Sequence, residues 1–227
     1  MQKFKVFSKL FVLLFLAFNA TLVFSQNTVP SDTADSILTP FRKGRWLTSL
    51  SGSISSTSNE LKSTKNKTIS NEFGINLSTG NFFKERWLIG VTFQAARQEA
   101  RGDFEIVGES LYIGPQIARY FSKTKDGSLF LNVSPGFVLY RSLGSISETP
   151  DFDKKSDGNG FGTSFNLGYS YVIRDLISFN IGLNLKYAWI GVDTVEGNMG
   201  TVGKDNITLS NISFTFGFGV ILDDFFF

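Results

Sequence analysis

The 227-residue sequence has no cysteine and no histidine, and only five prolines. Without a thiolate or an imidazole there is no Ser-His-Asp or Cys-His constellation, no haem or iron–sulfur ligation and no ordinary structural zinc site. Carboxylates, hydroxyls, lysine and arginine are the only groups left for chemistry. The lack of cysteine also removes disulfides, so an exported chain of this composition must rely on hydrogen bonds and packing. A large excess of either charge is missing as well, since 22 Lys plus Arg stand against 20 Asp plus Glu. What the chain has in quantity is phenylalanine, with 25 copies, and glycine, with 22.

The N-terminus carries Lys3, Lys5 and Lys9, then an apolar run from Leu10 to Phe18 that resumes at Leu22 to Phe24. This order predicts a secretory signal peptide over 1–25, with Val23 and Ser25 as the small residues before cleavage and Gln26 as the mature N-terminus. The uninterrupted apolar stretch is well short of the roughly 20 residues that a spanning helix needs. Gln26 is not cysteine, so a lipoprotein anchor is not expected. Removing the leader leaves 19 basic against 20 acidic residues, so the whole-chain pI of about 8.7 gives no reason to expect nucleic acid as a partner. Residues 26–43, with Pro30, Pro40 and several Ser, Thr and Asp, have no apolar periodicity and read as a flexible periplasmic tether.

From Trp46 onward the period is two, the mark of strands with chemically different faces. Trp46, Leu50 and Ile54 oppose Ser49, Ser51 and Ser53. Phe73, Ile75 and Leu77 oppose Glu72, Gly74 and Asn76. Trp87, Ile89, Val91 and Phe93 oppose Gly90, Thr92 and Gln94, and Leu111, Ile113 and Ile117 oppose Tyr112, Gly114 and Gln116. The same scheme runs through Leu131 to Leu139, Phe161 to Tyr171, Ile177 to Trp189 and Ile212 to Val220. Eight such segments predict an all-β, eight-stranded antiparallel up-and-down transmembrane β-barrel over 44–227, because membrane strands need about 9–11 residues each. Short links at 80–86, 122–128 and 174–176 alternate with long polar ones at 57–68, 101–108, 144–159 and 191–206. That alternation predicts both termini on the periplasmic side and extracellular long loops.

The face opposite the apolar one decides between a soluble and a membrane barrel. A strand face in water normally carries Lys, Glu and Arg. Here it carries Ser, Gly, Asn, Thr and Gln, which suit a narrow interior. Glu72 and Lys186 are the charged exceptions, expected as an ion pair in the lumen tied to Gln94, Gln116, Asn180 and Asn184 because unpaired charges there are costly. Arg97, Arg119 and Arg141 fall at strand ends on the lipid-facing parity, where long side chains reach the interface. Trp46, Trp87, Tyr169 and Tyr171 at one end, with Tyr187 and Trp189 at the other, are expected to form two aromatic girdles.

The repeated strand grammar, the segment Leu111-Tyr112-Ile113-Gly114-Pro115-Gln116-Ile117-Ala118-Arg119-Tyr120-Phe121 and the aromatic end Phe225-Phe226-Phe227 resemble the small outer-membrane barrels. These include the OmpA transmembrane domain, OmpX and the Bacteroidota-type "outer membrane protein beta-barrel domain" proteins. The resemblance implies that Phe225, Phe226 and Phe227 serve as the signal read by the barrel-assembly machinery. It also implies contact with outer-membrane lipid and lipopolysaccharide, and it disfavours an enzyme, since the barrel enzymes of this membrane generally use a histidine. No cofactor or metal is expected. Asp151, Asp153 and Asp157 lack the Gly and terminal Glu of a calcium loop. Tripeptides around Thr33, Ser36 and Thr194 resemble a short O-glycosylation signal of exported Bacteroidota proteins. The functions left open are a structural or loop-mediated role, a narrow passive pore, and an accessory subunit of a larger outer-membrane complex.

Overall fold

A computed structural model describes residues 39–60, 67–101, 104–146, 149–196 and 201–223. They form eight strands: β1 (Trp46–Glu60), β2 (Lys67–Lys84), β3 (Trp87–Arg101), β4 (Phe104–Tyr120), β5 (Gly127–Ile146), β6 (Thr149–Ile173), β7 (Ile177–Glu196) and β8 (Thr201–Leu222). Each pairs antiparallel with the next, and β8 returns to β1, giving the expected up-and-down ring. Direct pairing followed once round the ring from Phe214, through Ile54, Phe73, Arg97, Glu109, Arg141, Asp157 and Asp193, comes back to β8 at Lys204. That displacement of ten residues is the stagger a closed sheet requires, and it corresponds to strands tilted about 40° from the axis.

Burial is inverted relative to a water-soluble protein. Phe161 is 70% exposed and Ile75 61% exposed on the outer face, whereas Ser128, Ser170 and Ser178 are fully buried inside. Large apolar side chains normally occupy the interior of a soluble domain. An apolar band around a polar bore is the arrangement suited to hydrocarbon. The few polar groups in the band satisfy one another: the outward Thr48 and Thr79 hydroxyls lie 2.9 Å apart.

The long polar segments are not loops for most of their length. β1 continues to Glu60 before β2 starts at Lys67, β5 reaches Ile146 before β6 starts at Thr149, and β7 reaches Glu196 before β8 starts at Thr201. The backbone ladder needs no apolar face, so strands run on past the band. Where both faces are polar, the alternation that reveals a strand is lost although the pairing persists. At the opposite end the connections are tight. Arg174 and Asp175 carry φ values of 52° and 61°, the left-handed pair at the centre of a turn that the Leu176 amide closes on the Ile173 carbonyl at 3.1 Å, within a three-residue connection. Neither is glycine or asparagine, so each conformation costs about 1–3 kcal/mol.

Residues 39–43 do not continue the expected tether. Phe41 is fully buried in the short-turn mouth of the barrel, stacked on Tyr120 with ring centroids 4.1 Å apart and tilted against Phe82 at 5.8 Å. Leu47, Leu88, Phe130, Val172 and Ile221 complete this apolar cluster. The physical reason is local: a single large apolar side chain among polar neighbours gives no periodic signal, yet it fits an open barrel end lined with apolar residues. Residues 26–38 and the proposed leader lie outside the described residues.

Candidate functional site in the barrel lumen

The mouth is closed by charge as well as by packing. Arg42 donates to Asp175 at 2.8 Å and to Asp223 at 2.9 Å. Arg45, only 2% exposed, lies 2.9 Å from Asp175 and 2.8 Å from Asp223, and donates to the Pro40 carbonyl at 3.1 Å. Two arginines from the N-terminal segment are therefore held by two carboxylates, one from the β6–β7 turn and one just after β8. The hydrogen bond to Asp175 is the chief reason that the Arg42 guanidinium is held above its ordinary pKa range, against the opposing effect of partial desolvation. The strained backbone at Arg174 and Asp175 places the Asp175 carboxylate where both arginines meet it.

Above the plug the bore is polar. Asn132 donates to Gln116 at 2.9 Å, and Thr92 donates to Asn76 at 2.7 Å. The side-chain oxygens of Asn132, Asn166 and Asn180 are buried without a hydrogen-bond partner among the described residues. They face a cavity of about 50 Å³, which suits one or two water molecules.

Two side-chain bridges then cross the lumen. Gln94 on β3 donates to Ser164 on β6 at 3.2 Å, and Ser164 donates to Asn184 at 2.6 Å. Lys186 on β7 reaches Ser110 on β4 at 3.0 Å. In a ring of eight, strands three apart are nearly opposite, so both bridges span the bore.

Toward the long-hairpin end the lumen widens into a vestibule of about 260 Å³ lined by Glu72, Gln98, Ser110, Tyr140, Lys186 and Asn211, among others. The sequence places Glu72 and Lys186 together in the lumen, and both line this space. They do not form the expected direct ion pair: the Lys186 ammonium turns to Ser110, and Glu72 makes no ion pair with it. Of the other lumenal candidates, Gln94 and Asn184 share the first bridge, Gln116 belongs to the layer below, and Asn180 lies lower still.

One wall was not legible from the residues. Tyr112, Val138, Ala188, Ile190 and Val192 form a buried apolar cluster inside the upper bore. Val138, Ala188, Ile190 and Val192 sit on the parity otherwise filled by small polar residues, so a second apolar face within β5 and β7 was the available signal. The plug residues were missed for a different reason. Arg42 and Arg45 are close in sequence, but their partners Asp175 and Asp223 are brought to them only by closure of the ring.

On the outside, Trp46 and Trp87 occupy the short-turn end, and the Arg119 guanidinium stands over the Trp87 ring at 4.8 Å. Tyr169 and Tyr171 are exposed on the same end of β6, while Tyr187 and Trp189 meet edge to face at 4.7 Å near the long-hairpin end of the band. Just beyond, Arg97 pairs with Glu109 at 3.5 Å and Arg141 with Asp157 at 3.0 Å. Each is a direct cross-strand neighbour, so the charges face one another across adjacent strands. Thr194 lies in β7, half-buried, with its hydroxyl 3.1 Å from Ser156. Thr33, Ser36 and Phe225, Phe226 and Phe227 lie outside the described residues.

These features define a closed eight-stranded antiparallel barrel with an apolar exterior and a polar bore crossed by side-chain bridges. No protein-family model matches the chain, and no curated protein matches it in sequence. Among solved structures, the chain is similar to the outer membrane protein OprG from Pseudomonas aeruginosa, with a TM-score of 0.55, 13% identity, and coverage of 81% of this chain and 99% of that one. It is more distantly similar to the outer membrane protein AlkL, with a TM-score of 0.45, 12% identity and coverage of 87% and 95%. Neisserial surface protein A gives a TM-score of 0.40 at 14% identity, covering 80% of this chain and 98% of that one. At these identities the likeness to OprG establishes the fold and nothing finer.

Proposed function

We propose that this chain is an integral outer-membrane β-barrel without enzymatic activity, sealed toward the periplasm and acting through its outer hairpins and vestibule. The observation that carries the sealed state is Phe41, fully buried on Tyr120 within the apolar cluster that fills the mouth. Location in the outer membrane is supported by the apolar exterior and polar bore, which suit only a bilayer that accepts barrels, and by the leader-like residues 1–25. The short turns would then face the periplasm and the long hairpins the exterior.

On this reading the barrel belongs with the OmpA- and OmpX-like or Bacteroidota-type small barrels. Its partners are membrane lipid and lipopolysaccharide around the wall, and the barrel-assembly machinery during insertion. A larger outer-membrane complex would be met through the hairpins. The test is planar-bilayer conductance of the refolded protein, with heat-modifiable gel mobility as the check that it is folded. The expected result is silence from a folded barrel. Discrete, salt-dependent steps from the unaltered protein would overturn the sealed reading and favour a narrow passive pore.

A further inference from the structure

We propose that the vestibule is a binding site for a small free zwitterion, a molecule with one ammonium and one acidic group, held between Glu72 and Lys186. Both charges line the same cavity of about 260 Å³, yet they do not form an ion pair with each other. Lys186 is 7% exposed and donates to one neutral hydroxyl, Ser110, at 3.0 Å. An ammonium has three donors, so two remain without a partner among the described residues. Glu72, on β2, lies three strands from β7 around the ring and makes no hydrogen bond or ion pair with any described residue across the cavity.

Burying a charge is costly unless it is compensated, and here Lys186 is buried while Glu72 is half-buried. A direct pair would compensate both at once, but here the ammonium is turned to Ser110 and the two charges share the cavity without touching. A ligand carrying both complementary charges would satisfy each of them. A monovalent anion would meet Lys186 and be repelled by Glu72, and a monovalent cation would meet the reverse. The surrounding groups fit the same chemistry: Gln98 and Asn211 offer neutral donors and acceptors, and Tyr140 offers a ring and a hydroxyl. The space lies inside the wall at the long-hairpin end, so the occupant arrives from water, and a free molecule is the source.

The experiment is a titration of isotope-labelled barrel in nanodiscs, followed by amide chemical shifts, with β-alanine as the zwitterion and propionate and ethylamine as single-charge controls. β-Alanine is expected to saturate with a dissociation constant at or below about 10 mM, perturbing amides near Glu72, Ser110 and Lys186. Each control is expected to bind at least tenfold more weakly. Glu72→Gln and Lys186→Met should each cost β-alanine tenfold or more, and a Glu72→Lys plus Lys186→Glu exchange should restore binding. The probe comparison on the unaltered protein decides the matter even if a variant fails to fold. Equal binding of a single-charge control, or no saturation by β-alanine in a barrel with native gel mobility, would overturn the assignment. Because the readout is binding rather than conductance, it stands or falls apart from the sealed state of the mouth.

Discussion

Replacing Phe41 with alanine should expose the lower bore to reagents from the short-turn side without making the barrel conduct. The ring is fully buried and stacked on Tyr120, and truncating a buried phenylalanine typically costs about 3–5 kcal/mol. Much of that cost falls on the closed state of the mouth, because the Phe41 ring fills it, whereas the bonds that remain, from Arg86 N–H to the Phe41 carbonyl at 2.7 Å and from Arg45 to Asp175 and Asp223, tether the backbone of the segment. The half-exposed pairs of Arg42 stabilise little. The native absence of cysteine makes the test clean. Ser78→Cys places a single thiol on the wall of the 50 Å³ cavity, and its reaction with a small charged thiosulfonate should be slow behind the intact plug. In the Phe41→Ala background the rate should rise by about a hundredfold, since each 1.4 kcal/mol is worth a factor of ten in the population of an open state.

Conductance should nevertheless remain absent, because the Gln94–Ser164 and Lys186–Ser110 bridges still cross the bore above. Labelling that is already fast with Phe41 present would mean that the segment does not seal the mouth. Large conductance steps from the single variant would mean that the bridges do not block ions. Two barriers in series thus give two separable signatures.

The reach of sequence reasoning follows from which interactions leave a periodic trace. The eight strands were readable because the band forces a side chain such as Ile113 outward and its neighbour Tyr112 inward at every step. The lumenal assignment of Gln94, Gln116, Asn184 and Lys186 came from the same parity. The extension of the strands past the band was not readable, since wet polar residues on both faces erase the alternation while the ladder continues. The separation of Glu72 from Lys186 was hidden too. Parity fixes which side of the wall a residue occupies, but not whether the lysine turns toward the carboxylate or toward Ser110. The mouth is the extreme case: Arg45 meets Asp175 and Asp223 only once β8 has closed on β1, and no local pattern encodes closure.

The same dependence on closure governs a weak point in the wall. The β4–β5 pairing runs to Ile113 opposite Phe137 and resumes at Ile117 opposite Val133, with no bridge between. The register brings Pro115 opposite Pro135 in that gap, and neither has an amide hydrogen to donate. A backbone carbonyl left open at this depth would be expensive, because hydrocarbon offers it no partner. An inward side chain makes good part of the loss: the Ser134 hydroxyl donates to the Pro115 carbonyl at 2.7 Å, and the Tyr112 hydroxyl, which donates to the Ser134 carbonyl, packs beside it. The strands must approach closely for this. A Cβ on Gly114 would stand 2.1 Å from the Pro135 carbonyl oxygen, and one on Gly136 would stand 2.6 Å from the Tyr112 ring.

Tyr112→Phe keeps the ring and removes only the donor. It is therefore expected to destabilise the barrel by about 0.5–1.5 kcal/mol, the net contribution of one buried hydrogen bond. The measurement is a urea unfolding midpoint in lipid vesicles, with unchanged slope. Tyr140→Phe, at a half-buried inward position on β5, serves as the control and should shift the midpoint by far less. Hydrogen exchange should quicken at Gly114 and Gly136 in the Tyr112 variant while β6–β7 amides stay protected, because the opening is confined to the proline pair. An unshifted midpoint for Tyr112→Phe would show that its hydroxyl adds nothing to the closure that Ser134 gives the gap.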